Sequence, residues 1–266
     1  MAQTRWLDKE GLAAPDHTAG RLRRTPLARR WLRPALWFGG LLVCTTAADA
    51  ARIKGEVSHF RDLRNPVWEE GKDPKRSGYS FREPVPTVRA EFRKLFPHIP
   101  KELCIAAIAK QKQNPPLPIL IRIGGGRTTP VTIVVPPGTK LTFQNTDPFK
   151  HRLYAVNLAT FSAADTAKGA TRDWTVPGPG VYEIRDELAP SLRMWVVSES
   201  NVAVSVYPSM KGEFVLTVKE PGDYDIQAYF AGKKVGDPLP VTVGEQDVDV
   251  SKKPIRVAKP KKAEKK

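Results

Sequence analysis

From residue 117 onward the chain is a succession of short apolar segments, each closed by a Pro- or Gly-containing turn. Pro118–Ile123 (PILIRI), Val131–Val135 (VTIVV), Lys140–Gln144 (KLTFQ), Arg152–Val156 (RLYAV), Val181–Ile184 (VYEI) and Met194–Ser198 (MWVVS) are too short for stable helices and rich in β-branched and aromatic residues. Pro136-Pro137-Gly138-Thr139 and Pro177-Gly178-Pro179-Gly180 are turns that chain reversal requires. A second rhythm follows in Val202–Val206, Gly212–Val218, Pro221–Tyr229 and Leu239–Val243, with Glu220-Pro221-Gly222-Asp223 as a tight turn. Strands at this spacing predict a mostly β protein built as sandwiches. Upstream, Arg52–Val57 alternates and reads as a first strand. Residues 58–116 read as a Pro-punctuated, charged excursion, with Val88–Phe96 as a short amphipathic helix ended by Pro97.

The net charge of +15 is uneven. Residues 1–50 carry eight basic and four acidic side chains, and residues 251–266 carry eight basic and one acidic. Residues 51–250 are left at only +4, which speaks against a dedicated nucleic-acid surface. The N-terminus has the layout of an export signal. Arginines at 21, 23, 24, 29, 30 and 33 precede the apolar run Pro34–Cys44, and Ala48-Asp49-Ala50 is a small-residue cleavage site. The run is about half the length of a membrane span. Twin-arginine export at Arg29-Arg30 and lipidation at Cys44 fit less well, because the flanking residues and Val43 depart from those signals. The mature chain, from Ala51, then keeps only Cys104, which a buried, inert thiol explains. The expected location is periplasmic or extracellular, with no transmembrane span in the mature chain. The expected organisation is a signal peptide at 1–50, a first strand and excursion at 51–116, β domains at 117–199 and 200–250, and a loose basic tail at 251–266.

One stretch carries a more specific pattern. Val135-Pro-Pro-Gly138-Thr139, Leu141-Thr-Phe-Gln-Asn145-Thr146-Asp147-Pro148 and His151 resemble the first half of a cupredoxin (plastocyanin-like) copper site. Gly180-Val-Tyr-Glu-Ile184 is similar to the strand entering its second half, and Trp195-Val196-Val197 to the strand leaving it. The resemblance implies a Greek-key sandwich with copper held by two histidines, a cysteine and a methionine. Anchored on Pro190, it places Asp186 at the cysteine position, Ala189 at the second histidine and Leu192 at the methionine, so that only His151 survives. A blue-copper centre needs its thiolate and both imidazoles. His151 with Asp186 is then a metal site two ligands short, which His59 and His98 complete only if the excursion folds over it. Without metal, His151 is expected as a solvent-facing or corner-stabilising histidine, and Asp186 as a surface-loop carboxylate near Arg185 or Arg193. The strands from Gly212 to Tyr224 are similar to a transthyretin-like, carboxypeptidase-regulatory repeat; that arrangement would pair Ile53–Val57 with the late strands.

No zinc-type Cys/His spacing and no nucleophile elbow occurs in the sequence. Glu69-Glu70 and Asp186-Glu187 are sequence neighbours, which on a strand point to opposite faces. Gly124-Gly125-Gly126 lacks a following Lys-Ser/Thr and reads as a hairpin. The chain is expected to be no enzyme, with no cofactor. Its expected function is that of an exported binding or structural module of the cell envelope. A copper-binding electron carrier and a carbohydrate- or wall-binding module are the alternatives. Expected partners are an envelope protein or an anionic envelope polymer or lipid, met by Lys252, Lys253, Arg256, Lys259, Lys261, Lys262, Lys265 and Lys266.

Overall fold

The computed structural model describes residues 50–66 and 96–258. Residues 1–49, most of the helix expected over Val88–Phe96, and the lysines at 259, 261, 262, 265 and 266 lie outside them. Alternation generates the strands that have one buried face. Glu213–Val218 turns Phe214, Leu216 and Val218 inward and Glu213, Val215 and Thr217 to solvent. Lys140–Asn145 does the same with Leu141 and Phe143.

One sandwich is formed by β3 (Ile119–Gly124), β4 (Arg127–Thr129), β5 (Thr132–Val135), β6 (Lys140–Asn145), β7 (His151–Ala155), β8 (Ala164–Thr166), β9 (Thr171–Thr175), β10 (Gly180–Asp186) and β11 (Arg193–Ser198). Its sheets run β4-β3-β6-β9 and β5-β11-β10-β7-β8, with β3/β6 and β5/β11 parallel. Ile121, Phe143 and Trp174 from one sheet meet Leu153, Ile184, Met194 and Val196 from the other in a single apolar cluster.

The second sandwich combines β1 (Ala51–Ser58) and β2 (Leu103–Ala109) with β12 (Val202–Val206), β13 (Glu213–Val218), β14 (Gly222–Phe230), β15 (Lys233–Val243), β16 (Val248–Asp249) and β17 (Ile255–Arg256). Its sheets are β12-β2-β14-β15 and β13-β1-β16, with β17 also pairing β1. β1 pairs antiparallel with β13 from Ala51↔Val218 to Glu56↔Glu213, so early and late chain segments share a sheet. Gly55 opposes Phe214, and a Cβ there would sit 2.4 Å from the ring.

The two sandwiches are fused by a third apolar cluster. Leu103, Ile105 and Ala107 of β2 face the core of the second sandwich, whereas Cys104 and Ala106 face Val134 and Val197 of the first. β2 is therefore buried on both faces, which is why its sequence is a continuous apolar run rather than an alternation. The seam's polar groups are satisfied across it: Ser205 Oγ donates to the Val134 carbonyl at 3.0 Å and Tyr207 OH to that of Thr132 at 2.9 Å.

The tail departs from expectation. Residues 251–258 are not loose: Ile255 and Val257 are buried, and β17 pairs in parallel with Val57 and Ser58. Two alternating apolar residues suffice because β1 offers an edge and a core for them to close. Among the described residues no helix is long and apolar enough to cross a membrane.

Candidate functional site

The Asn145-Thr146-Asp147-Pro148 corner joins β6 to β7 and is built by its own side chains. Asn145 Nδ2 donates to the carbonyls of Phe149 (2.8 Å) and Thr166 (2.9 Å), while its Oδ1 accepts the Asp147 N–H at 2.9 Å. Thr146 Oγ1 donates to the Ile123 carbonyl at 2.5 Å. Asp147 turns inward and caps the β3–β4 hairpin, with Oδ1 accepting from Gly125 N–H (2.6 Å) and Oδ2 from Gly126 N–H (2.9 Å). Both glycines have positive φ, 62° and 66°, and this left-handed turn aims consecutive N–H groups at one carboxylate.

His151, the first residue of β7, is fully buried. Its Nε2 lies 3.1 Å from Asp147 Oδ2 and its Nδ1 2.5 Å from Asp186 Oδ2. The Phe149 ring stands beside it, centroids 4.9 Å apart. Asp186, the last residue of β10, is 3 % exposed. Its Oδ1 accepts the backbone N–H groups of Arg152 (3.2 Å), Leu188 (2.7 Å) and Ala189 (3.1 Å). A continuous hydrogen-bonded string thus runs from the β3–β4 hairpin through Asp147, His151 and Asp186 to the β10–β11 loop.

An ionised carboxylate only accepts, so both contacts of the imidazole are hydrogen bonds when each ring nitrogen carries a proton. The two carboxylates also accept from five backbone N–H groups, which satisfies their buried oxygens. Burial pushes the Asp147 carboxyl up, but the Gly126 and Gly125 N–H groups and then His151 outweigh it and hold it below its ordinary value.

The structure corrects two expectations. Asp186 is no surface carboxylate paired with Arg185 or Arg193; Glu183 takes Arg185 at 2.9 Å and faces Arg193 at 3.6 Å instead. His151 does not face solvent; fully buried and in contact with Asp147, it takes the other expected role, holding the corner. Ala189 is half-buried, and Leu192 and Met194 are core residues of the first sandwich. His59 and His98 are exposed, beside β1 and the helical turn Ile99–Glu102, and the polar groups on the His151 ring are Asp147 and Asp186. Sequence reasoning passed over Asp147 as a partner, although the i, i+4 spacing to His151 across a Pro corner was there to be read.

These residues do not fit a copper ion of the blue type. Both ring nitrogens of His151 are committed, the acceptor positions of Asp186 are filled, and Ala189 and Leu192 offer no donor. Cys104 is sealed in the seam between sandwiches, where burial pushes its thiol up to about 12. Among the described residues no three His, Cys, Asp or Glu side chains converge as a metal site.

No family model matches the chain, and no curated protein matches it. Solved structures do. A purple cupredoxin from Nitrosopumilus maritimus is 20% identical, with 30% of this chain and 99% of that chain covered, at a TM-score of 0.29. Amicyanin from Paracoccus versutus is 14% identical, with 37% of this chain and 99% of that one covered, at 0.28. A copper-containing nitrite reductase from Thermus scotoductus is 20% identical, with 35% of this chain and 25% of that one covered, at 0.28.

Proposed function

We propose that this chain is an exported, non-catalytic double β-sandwich that serves as a binding or structural module of the cell envelope. In this reading the first sandwich keeps a copper-site corner but fills it with an internal ion string. The observation that carries it is the double engagement of His151, whose two nitrogens both end on buried carboxylates. A metal would have to displace a carboxylate from one ring nitrogen, and in this reading no electron carrier is assembled around it. Export is supported by the sequence alone, through the arginine-rich start, the apolar run Pro34–Cys44 and the Ala48-Asp49-Ala50 site.

The test is a Cu(II) titration of residues 51–266. The proposal expects no stoichiometric uptake and no intense absorption in the red. One copper per chain with that absorption would establish the electron-carrier alternative, and it would require Asp186 or Asp147 to leave the imidazole. Pull-down on cell-wall material addresses the wall-binding alternative.

A further inference from the structure

We infer that the groove between β15 and the Ser251–Arg256 segment is a docking site for a linear polyanion with repeating phosphate groups. This inference rests on the reading of the chain as a binding module and names the partner chemistry. Its foundation is the folded tail. Ile255 and Val257 are buried at 4% and 3% exposure, and the Val257 N–H donates to the Ser58 carbonyl at 3.2 Å. Gly236 of β15, at φ +71°, comes so close that a Cβ would lie 2.4 Å from the Arg256 carbonyl oxygen. The segment is therefore held against two strands, and its cations have fixed positions.

Between them lies an open groove of about 350 Å³, with Pro238 and Leu239 on one wall and Lys252, Lys253 and Arg256 on the other. These three cations are exposed, and none ends in an ion pair with a described residue. Elsewhere on the surface Lys54, Lys110, Lys140 and Lys150 are paired with aspartates. The opposing charge is Asp237 in the groove and Asp249 near Lys252. A net positive groove with free ammonium and guanidinium donors suits phosphate oxygens, which Arg binds in a fork. The concave shape and the half-buried Leu239 favour a strand of polymer over a bilayer, since interfacial binding draws on apolar side chains that protrude.

Residues 51–266 titrated with long-chain inorganic polyphosphate test this by fluorescence anisotropy. We expect saturable binding that weakens steeply with salt, and a loss of about tenfold or more in K252A/K253A/R256A. That variant alters exposed side chains only, and an unchanged thermal midpoint certifies its fold. I255D keeps every cation but detaches β17, and it is expected to bind several-fold more weakly. Polyphosphate affinity unchanged in either variant overturns the groove, as does tighter binding to vesicles of anionic lipid than to polyphosphate at equal charge. Failure here leaves the copper titration untouched, so the two readings fall separately.

Discussion

Asp186 Oδ2 sits 2.5 Å from Nδ1 of His151, with both side chains buried and the two residues 35 positions apart in the chain. The contact ties the end of β10 to the start of β7, and Asp147 continues it to the β3–β4 hairpin. Three loops at one end of the first sandwich therefore depend on one imidazole.

Removing one partner of a buried ionic string strands the others. Asp186→Ala leaves His151 facing a single carboxylate and frees three backbone N–H groups, so a loss of about 3–5 kcal/mol is expected in urea unfolding. Asp186→Asn keeps the volume and the Oδ1 acceptor and should cost less. An Asp186→Ala protein as stable as the parent would show that the contact carries no energy.

His151→Phe removes the imidazole and leaves Asp147 and Asp186 on either side of an apolar ring. Both carboxylates keep their N–H donors, so the protein should fold with a lowered thermal midpoint. Hydrogen exchange should rise at Gly125, Gly126, Leu188 and Ala189 rather than across the sheets. Uniform loss of protection would contradict a local fastening role.

Asp147 gives the string a pH dependence with a definite sign. Its carboxyl is held below the ordinary 3.8 by the Gly126 and Gly125 N–H groups and His151, against burial, which pushes it up. The folded state therefore binds this proton less readily than the unfolded state does. The stabilisation is present above the unfolded value and is lost as pH falls through the folded one. Urea midpoints between about pH 2 and 5 should drop more steeply for the parent than for Asp147→Asn, while equal slopes would remove Asp147 from the acid transition.

The seam between sandwiches predicts an inert thiol. Cys104 is at 0% exposure among Ala106, Val134, Val197 and Tyr229, and burial pushes it up to about 12. Residues 51–266 should show no reaction with a thiol reagent until denatured, and then one thiol per chain. Ala106→Leu overpacks the same seam and should cost about 1–3 kcal/mol. Native-state labelling would mean that the sandwiches separate.

Much of the architecture was legible because one-sided strands alternate. Phe214, Leu216 and Val218 announce their inward face in the sequence, and so do Leu141 and Phe143. β2 was not legible as a strand, because burial on two faces erases the alternation. The Ile255–Val257 anchor was not legible either, since two apolar residues among lysines look soluble until the edge of β1 is there to receive them. For the site, the Asn145–His151 corner was visible as a pattern, and Asp186 was singled out by its place relative to Pro190. That Asp186 reaches the imidazole is a product of the β7–β10 register, Asp186↔Leu153, which no local signal encodes.

His151 is held by two carboxylates, one at each ring nitrogen. Nitrogen-15 spectra of the histidine side chains test it most directly, recorded before and after one equivalent of Cu(II). Both His151 ring nitrogens are expected to show hydrogen-bonded shifts, and their resonances should survive the addition. A His151 ring nitrogen without a hydrogen-bonded partner, or loss of the His151 signals at stoichiometric copper, would contradict it.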